Sequence, residues 1–428
     1  MKTNINKKCR ELFDFVAMAT LTVAVLILSG CPGANTAGGA GGNTGSGGGQ
    51  VTPPTPKPKY AVTFNVDGAN GSLKAMVGST EIHSGDRIEQ GKTVTFTATA
   101  NEGYAADKWA VSSGSFETGT GTVYNNIAKV TVTADTDVKV SFIAGKVYTV
   151  DGIGFLMKDI KAVTNGSVGH TNNSWNNAPH TISLSAYLIG ETEVTQELWQ
   201  AVMGNNPSSF SGSPESEEVQ GKRPVEQISW YQCIAFCNEL TQKVSGLGAG
   251  ECVYKVEGHV YTKEDAQANK VPDMDMSKKG FRLPTEAEWE WAAKGGAEHR
   301  WAGTSTEGEL KDYAWYYVNS DSKTHEVKKK LPNGYGLYDM SGNVQEWCWD
   351  WHSDTTPADG QDPLGAASGT LRVMRGGSWF DSAGYCVVGL RATTTPASAA
   401  AFLASAWPCA PRVHTAFFRK QGGEAGAA

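Results

Sequence analysis

Phe281-Arg282-Leu283-Pro284-Thr285-Glu286-Ala287-Glu288-Trp289-Glu290-Trp291-Ala292-Ala293 is the stretch from which the larger part of this chain can be read. Thr285 is an N-cap candidate and Glu288 stands three residues on, the arrangement of a capping box, so a helix is expected to start here. Glu286 and Glu290 fall one turn apart and invite reading as an acid–base pair; the expectation is instead a solvated face or a buried partner for Arg282. Toward the N-terminus, Arg223-Pro224-Val225-Glu226-Gln227-Ile228-Ser229-Trp230 leads into a helix expected over 229–243, with Cys233 and Cys237 at i, i+4. Further back, Ile189-Gly190-Glu191-Thr192-Glu193-Val194-Thr195-Gln196-Glu197-Leu198-Trp199 reads as a strand end running into a helix, with Thr192 or Thr195 as its cap. Toward the C-terminus follow Asn333-Gly334-Tyr335-Gly336-Leu337-Tyr338-Asp339-Met340-Ser341-Gly342-Asn343-Val344-Gln345-Glu346-Trp347 and Arg375-Gly376-Gly377-Ser378-Trp379.

Ahead of this part the pattern changes. Between Tyr60 and about residue 147, Val62–Val66, Thr93–Thr99, Lys129–Thr133 and Asp137–Phe142 alternate apolar and polar with period two, separated by Asn, Gly, Asp and Ser, and so are expected to be strands. The order of Val-Thr-Phe, Gly-Ser-Leu, Gly-Lys-Thr-Val-Thr-Phe-Thr-Ala, Gly-Tyr, Trp109 and Val-Ser-Phe resembles the divergent internalin-type repeat of bacterial surface proteins. That resemblance implies a spacer or adhesive unit, and no catalytic constellation is found in it. Residues 31–59 are Gly-, Thr- and Pro-rich and bury too little apolar surface to offset ordering; they read as a tether. Before it, Lys2, Lys7, Lys8 and Arg10 precede the apolar run Ala17–Leu28, which ends in Leu28-Ser29-Gly30-Cys31. So short a run behind a basic flank reads as a signal peptide over 1–30. Leu-Ser-Gly-Cys is similar to the bacterial lipobox, which implies lipidation of Cys31, a membrane anchor and an extracytoplasmic place in the bacterial cell envelope.

A formal net charge of −7 with no clustered Lys/Arg face argues against a nucleic-acid partner. Thirteen tryptophans, almost all beyond residue 170, point to a large, loop-rich domain held by aromatic packing. Of eight cysteines, Cys9 leaves with the signal peptide and Cys31 carries lipid; spacing leaves the pairing of the rest open. No second Cys pair or His pair completes a zinc site around Cys233 and Cys237.

Taken in order, the five blocks at 190–199, 223–230, 282–290, 333–347 and 375–379 resemble the signature of the formylglycine-generating enzyme (sulfatase-modifying factor) family. The resemblance implies an α+β fold related to C-type lectins, with much irregular structure, over 150–420 behind the small all-β module of 60–147. It also implies a calcium site, which falls on the side chains of Asp339 and Glu346 and the carbonyls of Gly342 and Val344; a hard cation takes such oxygen ligands. The family's other calcium site finds no match around Tyr313-Ala314-Trp315, and Gln345 stands where many members have tryptophan.

The catalytic element departs from the family. Its enzymes oxidise a substrate cysteine with O2 on copper(I) held by two cysteines spaced C-x4-C before a Thr-Pro; two soft thiolates suit Cu(I). Here Cys386 is the only cysteine between Gly376 and Thr395-Pro396. Counted forward from Cys386 the second position is Arg391; counted back from Thr395-Pro396 it is Val388. A serine of the family, two residues before the first cysteine, is Gly384. No copper site is therefore expected, and a lone cysteine more often packs than reacts. The family also ends in a strand of the type Leu-Gly-Phe-Arg-Leu. One choice of synonymous codons for Leu403–Pro411, with a single base inserted after the first, reads Leu-Gly-Phe-Arg-Leu-Ala-Leu-Arg-Pro, so the tail after about 404 is expected to be out of frame, with no functional meaning for Cys409 or His414. The resulting expectation is a lipid-anchored binding or display module for a protein or carbohydrate ligand, with a formylglycine-generating oxidoreductase acting on protein cysteines through Cys386 as the rival.

Overall fold

The structure, a computed structural model, describes residues 56–171, 176–212, 214, 217–355 and 360–398, and the backbone of two short strands, Val413–Thr415 and Phe418–Lys420. Cys31, the signal peptide, most of the tether and the tail segment 399–412 lie outside the described residues. Residues from Lys57 onward make one compact unit.

Its first part is two four-stranded sheets. Asp86–Glu89, Lys59–Asp67, Thr136–Ala144 and Tyr104–Val111 lie side by side in one; Thr80–Ile82, Gly71–Val77, Thr93–Ala100 and Ile127–Thr131 in the other. Alternation explains the pairing: Val62, Val94, Phe96, Val130 and Val138 are fully enclosed, while the residues between them face outward. The strand expected over 129–133 ends at Thr131, and Val132 instead bonds back to Lys92.

The larger part is a mixed, sheet-rich arrangement with few helices, in which small sheets are tied together by long loops. Among the described residues five α-helices occur here: α1 (Gln196–Met203), α2 (Trp230–Lys243), α3 (Lys263–Gln267), α4 (Glu286–Lys294) and α5 (Leu310–Tyr313). None is long and apolar enough to cross a membrane. Thr195, not Thr192, caps α1, accepting from the Leu198 N–H. Ser229 caps α2 with Gln232 completing the box, and Thr285 and Glu288 form the box of α4. Aromatic packing supplies the core: Trp199 and Phe236 stack at 4.7 Å, Trp230 donates to the Cys348 carbonyl at 3.0 Å, and the Arg372 guanidinium lies 3.8 Å from Trp230 and 3.3 Å from Trp351.

One expectation is overturned here. Glu286 and Glu290 do not form a solvated face: they are 3 % exposed each, and Arg282 is not their partner. Arg282 is held in a two-pronged pair by Glu288 at 2.7 and 2.8 Å, while Glu290 pairs with Arg375 and Glu286 with Arg391. Helix α4 is enclosed on that side by the strand Arg372–Arg375 and the segment after it, and a buried carboxylate needs a cation.

Cys233, Cys237, Cys252, Cys348 and Cys386 are all buried with free thiols, so no disulfide forms among the described residues. The two tail strands add their backbones to the larger part, Val413–Thr415 parallel to Gln345–Trp347 and Phe418–Lys420 antiparallel to Tyr187–Ile189.

Candidate functional site

The block 333–347 winds through the interior. Asp339 and Asn343 take left-handed backbone conformations, φ 58° and 55°, and between them Gly342 sits at φ 83°. A Cβ on Gly342 would stand 2.1 Å from the Trp315 carbonyl, so only glycine lets the turn pass so close to that backbone. The turn brings Asp339 and Glu346 into the same interior region, and Glu193, a residue not singled out in the sequence, joins them from the segment before the cap of α1. Its carboxylate is already committed, accepting from Val344 N–H at 3.1 Å and from the Asn343 amide at 2.7 Å. Glu346 accepts from Trp289 Nε1 at 3.0 Å, and Asp339 from the Lys328 N–H at 2.8 Å.

The second Asp339 oxygen, Oδ1, is buried and accepts nothing. Burial pushes Asp339 up to about 7, with the Glu346 charge adding to it, and burial pushes Glu346 up to about 8. Glu193 is likewise raised, by burial and by the charges of Asp339 and Glu346. Three enclosed carboxyl groups thus repel one another, and no Lys or Arg forms an ion pair with Asp339 among the described residues. Among those residues no trio of His, Cys, Asp or Glu side chains is arranged to hold a metal. A set of two carboxylates and two carbonyls is a different arrangement, and the donor-less Asp339 oxygen fits a hard cation.

Cys386 lies elsewhere, in a small apolar cluster with Trp301, Leu310, Ala314 and Tyr316. Gly377 faces it so closely that a Cβ there would stand 2.8 Å from its sulfur. Burial, and to a lesser extent Asp381, raises the thiol far above its ordinary range, so it stays protonated. Neither position counted for a second cysteine meets it as a ligand. Val388 belongs to a different core cluster, and Arg391 turns to Glu286 at 2.7 Å and to the carbonyls of Asn176 and Ser353 at 2.9 and 3.0 Å.

On the surface, Tyr317, Val318 and Tyr385 are 62, 75 and 59 % exposed, and Tyr317 meets Phe380 edge-on at 6.0 Å. The backbone joins the two loops, Tyr317 N–H donating to the Asp381 carbonyl. This aromatic contact was not read from the sequence, since nothing in the spacing of Tyr317 and Phe380 links them.

Residues 155–403, more than half of the chain, match the sulfatase-modifying factor enzyme 1-like domain. The chain belongs to that family. Treponema denticola variable protein 1 superposes with a TM-score of 0.57 at 53 % identity, over 64 % of this chain and 99 % of its own. Chaperone protein LppX of Paenibacillus barcinonensis is 32 % identical over 246 residues, 52 % of this chain and 79 % of that protein. The formylglycine-generating enzyme of Thermomonospora curvata is 42 % identical over 142 residues, which are 28 % of this chain and 47 % of the enzyme, so the chain spans under half of that enzyme's length.

Proposed function

We propose that this is a lipid-anchored protein of the bacterial cell envelope whose sulfatase-modifying-factor-like domain is a binding and display module without the copper chemistry. The observation that carries the reading is the isolation of Cys386: its thiol is buried and protonated, and Arg391 turns to a carboxylate. A lone thiol of this kind does not make a two-thiolate copper(I) site. The face that would bind is the aromatic patch of Tyr317, Val318, Phe380 and Tyr385, where large, stiff side chains stand on a fixed frame. Its ligand is a protein or a carbohydrate. The names of the Treponema relative, a variable protein, and of the Paenibacillus relative, a chaperone, both suit a domain that works by its surface.

In the same reading Cys31 carries the lipid, residues 31–59 are the tether, and 60–147 form an internalin-type spacer beneath the family domain that runs from about 150 to 420, with its tail out of frame after about 404. Asp339 and Glu346, with the carbonyls of Gly342 and Val344, hold calcium, which would neutralise the carboxyl cluster and fix the turn over Trp315.

The rival reading, a formylglycine-generating oxidoreductase acting on protein cysteines, is favoured by the 42 % identity to the Thermomonospora enzyme. A Cys-x-Pro-x-Arg peptide incubated in air with the copper(I)-treated chain separates the two. The thiol is expected to survive, and copper(I) to bind no better than to Cys386→Ala, both for this chain and for a version with the frame restored after Leu403. Aldehyde formation that Cys386→Ala abolishes would establish the enzyme instead.

A further inference from the structure

A cavity of about 410 Å³ opens between helix α4, the strand Gln345–Trp351 and the segment around Leu364. None of the four residues of the aromatic patch lines it. Its wall carries three carboxyl groups, Glu286, Glu290 and Asp350, all at least 97 % buried, and one guanidinium, Arg391, with Arg375 behind it. Arg375 is bound by Glu290, and Arg391 by Glu286. Asp350 has no cation within ion-pair distance among the described residues; its Oδ2 accepts the Glu286 N–H at 2.7 Å. Two acceptors on the wall lack a donor: Glu286 Oε2 and the side-chain carbonyl of Asn177, which is 1 % exposed.

Such a wall has surplus acceptors and one acid without an ion pair among the described residues. Burying them without donors costs free energy that a suitable guest would return. A bare metal ion is the poorer guest, because two of the three carboxyl groups are already paired with Arg375 and Arg391. The volume, within the usual range of ligand pockets, also suits an organic molecule. A primary ammonium group brings three donors, no acceptor and one positive charge.

We propose that this cavity is a binding site for a primary amine, whose ammonium group is held by Asp350, Glu286 and Asn177 and whose apolar stem lies toward Trp351 and Leu364. Burial, and next the Glu286 charge, raise Asp350 to about 8 when nothing neutralises it, which agrees with a site that lacks its cation.

The amine could be a free metabolite or the side chain of a lysine on another protein, and the test distinguishes them. Thermal melting and calorimetric titration of the full chain are run with pentylamine against pentanol, and with a blocked lysyl peptide against its norleucyl counterpart. Pentylamine is expected to raise the melting temperature saturably while pentanol does not. Binding is expected to weaken about tenfold or more in Asp350→Asn, the loss of one charged hydrogen bond. Leu364→Trp, at an exposed position on the rim, should weaken it similarly while leaving all the charges in place, and it decides the matter if Asp350→Asn unfolds. Binding by the lysyl peptide as well as pentylamine assigns the site to a protein lysine; binding by pentylamine alone assigns it to a free amine. Equal effects of amine and alcohol, no binding by pentylamine, or unchanged binding by both variants overturns the proposal.

Discussion

Two groups of buried acids lie in the larger part of the chain, and the protein treats them differently. Around helix α4, Glu286, Glu288 and Glu290 each meet a guanidinium from this chain: Arg391, Arg282 and Arg375. Burial works against the charged form of Glu290, yet Arg375 and the hydrogen bonds from the Gly169 N–H and the Asn177 amide together outweigh it and hold that carboxyl below its ordinary range. In the turn 339–346, Glu193, Asp339 and Glu346 are equally enclosed but are all raised: burial is the largest cause for each, and for Glu193 and Asp339 the neighbouring carboxyl charges add to it. An internal arginine makes a carboxylate a fixed part of the frame. Its absence leaves the acid dependent on something bound from outside, either a proton or a cation.

The largest expected effect breaks the first group. Arg375→Met leaves Glu290 and Glu286 facing apolar surroundings with a partner removed, and should cost about 3–5 kcal/mol of stability, measured by denaturant unfolding. Lys in place of Arg375 should recover only part, since it cannot donate to both Glu290 and the Leu390 carbonyl in a fixed fork. A loss under about 1 kcal/mol would show that these ion pairs are dispensable.

A smaller effect sharpens the second group. With calcium at about a hundred times its Kd, chelation should lower stability by about 2.7 kcal/mol, visible as a fall in melting temperature. Asp339→Ala should melt at the same temperature with and without chelator. Melting of the wild type that ignores chelator down to trace calcium would remove the proposed site.

The gentlest expected effect concerns Asp350, which belongs to the first group by position and to the second by its raised carboxyl and its lack of an ion pair among the described residues. An acid whose folded pKa is raised binds its proton more tightly in the folded than in the unfolded state. Its contribution is therefore full below about 4, the ordinary aspartate value, and is lost as pH rises through about 8. Asp350→Asn should flatten the decline of melting temperature between pH 5 and about pH 8, without added amine, relative to wild type. An unchanged profile would place the pH dependence on other groups.

How much of this was legible beforehand depends on the range of the forces involved. The Thr285–Glu288 box and the Ser229 start of α2 could be read because a cap and its donor lie three residues apart. The choice between Thr192 and Thr195 could not, because both offer the same hydroxyl and the bridge from Thr195 to Pro224 selects one. The fate of Glu286 and Glu290 was misread: their i, i+4 spacing describes a helix face, not what covers it. Arg375 reaches Glu290 across 85 positions and Arg391 reaches Glu286 across 105, distances along the chain over which no local pattern carries information.

By itself the sequence determined the alternating strands of the first part, the helix starts, the order of the family's blocks and the lack of a second cysteine beside Cys386, all of which depend on neighbours along the chain or on residue identity alone. The tertiary structure decided which buried acids have cations of their own, that Arg391 faces Glu286 and not Cys386, and that Tyr317 and Phe380 share a surface. The physical reason is that charge compensation and ring contact act over a few ångströms in space, and only the folded chain sets which distant residues come that close.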